Sequence, residues 1–282
     1  QVTLAEATTK LGGRVTWESS LPGLSAWARV RDWRVGRIQE MTNVEVYLDS
    51  NMTPQNVLEF GADHVIVATG AKWRKDGVGI NNTSPITGSG GIEGNNVYTP
   101  EDIASGTVIS GPVVLFDDDN FYMGGVVAEK LRRDGCEVTL VTTGGIVSSW
   151  TENTLEQHRI QAGLLELGVE IITSHNVSVV GNGEVEIACI YSDRRRKIPA
   201  ASVVMVTSRA SGCDLYQVLA SDPAALEAAG IKSLRATGDC DVAATIAVAV
   251  YDGHLAAREM DAPPENPDMP FRREEISLCK SV

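Results

Sequence analysis

The sequence predicts an α/β chain of two Rossmann-like, dinucleotide-type lobes, the second inserted in the first. Three observations predict it. Residues 2–6 alternate like a strand and end on an acid, Glu6; residues 64–70 are a β-branched run closed by Gly70; residues 112–141 read as strand, helix, strand, about the 30 residues of one βαβ unit.

A chain of 282 residues suits two domains of ordinary size, and 43% hydrophobic with 22% charged residues fits a globular protein with a real core. The net charge of −13 repels phosphate backbones and anionic lipid, so nucleic-acid binding is not expected. The longest apolar runs, at 203–206 and 246–250, fall far short of the roughly 20 residues of a membrane span. Five scattered cysteines without a Cys-x-x-Cys pair suit a reducing cytoplasm, and the four histidines show no metal-ligand spacing, so no metal site is expected.

Element by element, 2–6 is a strand, 11–14 a flexible glycine loop, 27–40 a helix and 44–48 a strand. The run 64–70 reads as a buried central strand, and 73–96, rich in glycine and asparagine, as a long connection. Strands at 112–116 and 137–141 flank a helix at 124–134. A helix near 155–167, short strands at 169–172, 177–180 and 185–190, and a basic hairpin tip at 194–197 come next. The strand 203–207, a helix at 223–229, a strand delivering Gly238-Asp239 and a helix at 246–260 complete the pattern, with an extended proline-rich tail at 262–282. The lobes are expected at 1–107 with 203–282, and at 108–202.

The chain opens directly on Gln1-Val2-Thr3-Leu4-Ala5-Glu6. A parallel strand needs neighbours on both edges, so the first strand and glycine turn of lobe one are expected to lie upstream, outside this chain.

Glu6 stands where a dinucleotide fold places the carboxylate that hydrogen-bonds a ribose; a solvated strand-end charge is the other reading. Gly12-Gly13 is either a phosphate-approaching turn or only a turn, and Gly238-Asp239 is weak by itself. Their order, with Ala68-Thr69-Gly70 between them, is the sequence logic of a flavoprotein with two dinucleotide domains. No Ser/His/Asp or Cys/His constellation is evident, so no catalytic residue is assigned.

The segments Leu4-Ala5-Glu6-Ala7, Leu11-Gly12-Gly13-Arg14, Leu21-Pro22-Gly23-Leu24, Val65-Ile66-Val67-Ala68-Thr69-Gly70-Ala71-Lys72-Trp73, and Gly238-Asp239 with Gly253-His254-Leu255-Ala256-Ala257-Arg258-Glu259 resemble the C-terminal half of the trimethylamine dehydrogenase family. Residues 115–141 are similar to its dimethylglycine demethylase branch. The resemblance implies FAD or ADP in this chain, with Glu6 on the ribose, Gly12, Gly13 and Arg14 lining the nucleotide, Ala68, Thr69 and Gly70 near its middle, and Gly238 and Asp239 at the pyrophosphate or ribityl region. It also implies an N-terminal (β/α)8 barrel carrying FMN and a [4Fe–4S] cluster, a small methylated amine as substrate, an electron-transfer flavoprotein as a possible partner, and an oligomer.

In the second lobe the loop Asp117-Asp118-Asp119-Asn120-Phe121-Tyr122-Met123-Gly124-Gly125 stands where a pyridine nucleotide needs Gly-x-Gly-x-x-Gly. Three carboxylates there would repel a pyrophosphate, so this lobe is expected to be degenerate. The rival readings are an NAD(P)H-dependent reductase of the dienoyl-CoA reductase kind and a non-catalytic docking subunit for an electron-transfer flavoprotein.

Overall fold

The structure is a computed structural model that describes residues 1–89 and 96–260; the proline-rich tail lies outside the described residues. The chain begins with β1 (Val2–Ala5), α1 (Arg14–Glu18), α2 (Ala28–Glu40), β2 (Val44–Tyr47), α3 (Pro54–Phe60), β3 (His64–Val67) and β4 (Ala71–Trp73). The middle holds β5 (Val97–Tyr98), α4 (Pro100–Ala104), β6 (Val113–Asp117), α5 (Tyr122–Arg133), β7 (Val138–Thr142), α6 (Gln157–Glu166), β8 (Glu170–Ile172), β9 (His175–Val180), β10 (Glu184–Cys189), β11 (Arg195–Pro199) and β12 (Ser202–Val206). It ends with β13 (Arg209–Ser211), α7 (Asp214–Ala220), α8 (Pro223–Ala228), β14 (Ser233–Ala236) and α9 (Ile246–Glu259).

The centre is a five-stranded parallel sheet in the order β5-β12-β6-β7-β8. Every residue of β6 and β12 is buried, as a parallel strand covered on both faces must be. Side chains alternate across the sheet. Val113 and Leu115 of β6, with Val204 and Val206 of β12, pack on Val127 and Leu131 of α5. Val114 and Phe116, with Val203 and Met205, face the other way against Val177, Val185 and Ile187 of the antiparallel β9-β10-β11 sheet. Each fully buried side chain of this size contributes about 1.5–3 kcal/mol over its exposed state.

The ends of the sequence build two smaller parallel pairs, β1 with β2 and β3 with β14. The second joins strands from opposite ends, while the segment between them forms the five-stranded sheet. The sequence predicts β3 as a buried central strand, but only its Val67 is buried and Ile66 is 39% exposed. The reason is local: among the described residues β3 has a hydrogen-bonded neighbour on one edge only. The basic run is also not a hairpin tip. Arg195 and Lys197 lie on the exposed edge strand β11, opposite Ala188 and Glu186 of β10, and form diagonal ion pairs with Glu186 and Glu184 respectively.

A short antiparallel pair, β4 with β13, connects the two parts and places Arg209 directly opposite Trp73. This register builds the floor of the site described next.

Candidate functional site

Two glycines open the site. Gly12 and Gly13 both take positive φ, +119° and +49°. A Cβ on Gly12 would lie 2.5 Å from Arg31 Cδ and 2.7 Å from Thr16 Oγ1, so no side chain fits there. Around Gly13 the corresponding space is open to 4 Å, so a ligand could approach its backbone. The turn delivers Arg14 as the first residue of α1.

Arg14 is the hub of a buried ion network. Its Nε lies 2.8 Å from Asp239 Oδ2, Nη1 donates to Glu18 Oε1 at 3.0 Å, and Nη2 donates to the Ala244 carbonyl at 2.6 Å. Asp239, 7% exposed, also accepts from Arg209 Nη1 at 2.8 Å and from the Ala244 N–H at 3.0 Å. Arg209 donates a second bond to the Ala244 carbonyl and stacks 5.5 Å above the Trp73 ring. Glu18 is fully buried, and its Oε2 accepts from the Tyr122 hydroxyl at 2.7 Å, tying α1 to the start of α5. Burial, reinforced by the Glu18 charge, pushes the Tyr122 phenol well above its ordinary range. Burial likewise lifts Asp119, to about 6, although Arg209 and Arg14 pull in the opposite direction. These groups enclose a cavity of about 140 Å³.

Gly238 sits at φ +63° in a turn at the end of β14. Its N–H and the Thr237 hydroxyl both donate to Asp252 of α9. Burial opposes ionisation of Asp252, but these two bonds and nearby Arg235 hold it below the ordinary carboxylate value. Thr69, exposed after β3, donates to the Gly212 carbonyl at 2.5 Å and lies 3.3 Å from Cys240 Sγ.

The structure therefore brings Arg14, Thr69, Gly238 and Asp239 into one neighbourhood, with Ala68 exposed and Gly70 at φ +77° beside them. Glu6 stands apart at the end of β1, where its carboxylate accepts from the N–H and hydroxyl of Thr8, at 2.9 and 2.8 Å. Sequence reading misses Glu18, Trp73, Arg209 and Asp252 as members of the site. Their roles arise from strand pairing and helix docking between remote segments, for which no local motif exists.

The acidic loop of the middle segment is closed. Asp118 Oδ2 accepts from the N–H groups of Asn81 and Asn82 at 2.9 and 3.0 Å, and its Oδ1 accepts from Asn81 Nδ2 and Thr143 Oγ1 at 2.8 and 2.9 Å. Residues 79–82 are thereby fastened over the ends of β6 and β7; a Cβ on Gly79 would lie 2.3 Å from Asp118 Oδ2. Asp117, fully buried, presses Oδ2 to 2.4 Å from the Cβ position of Gly124, and burial raises its carboxyl far above the usual range. The carboxyls of Asp117 and Asp118 thus fill the ends of β6 and β7 beside the start of α5.

Among the described residues no group of three or more His, Cys, Asp or Glu could hold a metal ion, and no helix is long and apolar enough to cross a membrane.

Residues 98–205 match the family model of the OYE-like second alpha/beta domain. Over 97% of its length the chain is 32% identical to dimethylamine dehydrogenase of Hyphomicrobium sp. (strain x), covering 40% of that protein. Histamine dehydrogenase from Rhizobium sp. 4-9 superposes with a TM-score of 0.91 at 46% identity, over 98% of this chain and 42% of that one. The 6-hydroxypseudooxynicotine amine oxidase of Pseudomonas geniculata N1 gives 0.85 at 43% identity, over 91% of this chain and 38% of that one. The chain thus spans about two fifths of the length of these relatives. Its homology to the dimethylamine and histamine dehydrogenases identifies it as part of a member of the trimethylamine dehydrogenase family.

Proposed function

We propose that this chain is the adenine-nucleotide-binding part of an iron–sulfur flavoprotein that oxidatively demethylates a small methylated amine of the dimethylglycine kind. The observation that carries the nucleotide reading is the convergence of Arg14, Thr69, Gly238 and Asp239 at the ends of β3 and β14, beside the open backbone of Gly13. FAD or ADP would be held there, with Glu6 reaching the ribose. FMN and a [4Fe–4S] cluster would reside in a (β/α)8 barrel outside this chain and would supply the redox chemistry.

On this reading the residues here bind and orient the nucleotide and exclude water from the Arg14–Asp239 network; no proton or bond of the substrate is handled by them. Two Rossmann-like lobes accord with the two groups of parallel strands. The inserted lobe expected at 108–202 is better drawn to about 97–207, because β5 and β12 pair in one sheet with β6. Among the described residues β1 and β3 each pair on one edge only, which favours completion of lobe one by a further strand between them. The closed Asp117–Asp118 region argues against the NADH-dependent reductase reading. A cytoplasmic oligomer passing electrons to an electron-transfer flavoprotein completes the proposal.

Anaerobic mixing of the full-length protein with dimethylglycine, dimethylamine and histamine tests it. Bleaching of the flavin absorbance by a methylated amine supports the proposal. Failure of all three to reduce the flavin contradicts the activity assigned.

A further inference from the structure

We infer that the open edge of β8 is the interface of a two-fold symmetric dimer, in which Glu170 of each copy meets Arg194, at the tip of the β10–β11 hairpin, of the other. The inference names a surface for the oligomer proposed above and rests on that part of the reading.

β8 closes the central sheet: it pairs with β7 on one side and, among the described residues, with no strand on the other. An open edge presents N–H and C=O groups that a second strand can pair. The two ends of this edge differ in chemistry. At its start stands Glu170, exposed, with Leu165 and Glu166 of the last turn of α6 held beside it by bonds from the Gly168 N–H to the Leu165 carbonyl and from the Val169 N–H to the Leu164 carbonyl. Leu165 is 58% exposed. Past the other end, the Ser174 carbonyl accepts from the Ile190 N–H, and the neighbouring Cys189 N–H donates to the Arg194 carbonyl, which brings the hairpin tip to this place. The tip displays Tyr191, 81% exposed, and Arg194. Among the described residues Glu166, Glu170 and Arg194 make no ion pair within 4.0 Å, whereas Arg195 and Lys197 farther along β11 do.

One end of the edge is thus acidic beside an exposed leucine, and the other basic beside an exposed tyrosine, about 13 Å away at the rise of a strand. Such a surface complements itself. A two-fold axis through Ile172, perpendicular to the strand, runs two copies of β8 antiparallel and carries residue 170 of one to residue 174 of the other. Glu170 then faces the second copy's Arg194 at both ends, and no acid faces an acid. Backbone pairing and the Leu165 and Tyr191 side chains supply the affinity, and the charges fix the register. β11 is the contrasting case: self-pairing would set Arg195, Arg196 and Lys197 against their own kind, and Pro199 lacks a donor. A short charged edge can also guard a monomer. The opposite charges at the two ends of β8 favour the dimer instead.

Sedimentation equilibrium of the full-length protein tests the inference. A dimer is expected. Arg194→Glu and Glu170→Arg should each weaken it about tenfold or more, because each sets like charges against each other at both ends of the interface. Combining the two substitutions restores opposite charges and should bring the dissociation constant back to within about threefold of the unsubstituted protein, a recovery that misfolding could not mimic. A monomeric protein, a dimer that both single substitutions leave unchanged, or a loss that the combined variant does not recover overturns the inference. Flavin bleaching by amines in the same preparations reports separately on the proposed activity.

Discussion

The Arg14 guanidinium and the Asp239 carboxylate, from opposite ends of the sequence, meet at 2.8 Å with both side chains largely buried. Asp239 also satisfies Arg209 and the Ala244 N–H, so removing it takes the carboxylate partner from buried Arg209 and leaves Arg14 with Glu18 alone. Asp239→Ala should destabilise the chain by about 3–5 kcal/mol, the usual cost of breaking a buried pair from one side. Urea unfolding measures this; a loss under about 1 kcal/mol would mean that water already screens the network.

Asp119 gives stability an unusual pH slope. Its folded value of about 6 lies above the ordinary 3.8, so the folded chain holds its proton more tightly than the unfolded chain. The stabilisation is full below pH 3.8 and is lost as pH rises through 6. Asp119→Asn, neutral at every pH, should leave stability unchanged near pH 4 and raise it above pH 6 by up to about 3 kcal/mol. Melting temperatures between pH 4 and 8 check the sign; a variant less stable at pH 8 would show that the charged form is needed.

Glu6 tests the ribose contact. Its carboxylate rests on Thr8, an exposed local contact that a hydroxyl pair could replace. Glu6→Ala should weaken adenine-nucleotide affinity by about 1.5–3 kcal/mol, one charge-assisted hydrogen bond. Unaltered affinity by equilibrium dialysis would return Glu6 to the role of a strand-end charge.

The fastened loop over β6 predicts indifference to NADH. With Asp118 accepting four hydrogen bonds and Asp117 lodged against Gly124, stopped-flow mixing with NADH should leave the flavin oxidised. Rapid reduction, abolished by substitutions in residues 117–125, would reinstate the reductase reading.

Much of this fold is legible in the sequence because its strands are buried on both faces. The runs that form β6 and β12 are almost wholly apolar, and β7 sets threonines among valine and leucine. The short α3 and α4 carry a local signal of their own: each begins with threonine then proline, and Thr53 and Thr99 cap them with Asn56 and Asp102 in reciprocal boxes. Arg209 and Glu18 were not readable. Arg209 enters the site only because β13 pairs with β4, and Glu18 only because α1 docks beside Tyr122; each is a tertiary event between segments with no shared local pattern.

The nucleotide content of the full-length protein tests the central claim most directly. Heat or acid denaturation followed by chromatography of the supernatant should release about one FAD or ADP per chain, and much less from Glu6→Ala and Asp239→Ala. A folded, amine-oxidising preparation that releases no adenine nucleotide would contradict it.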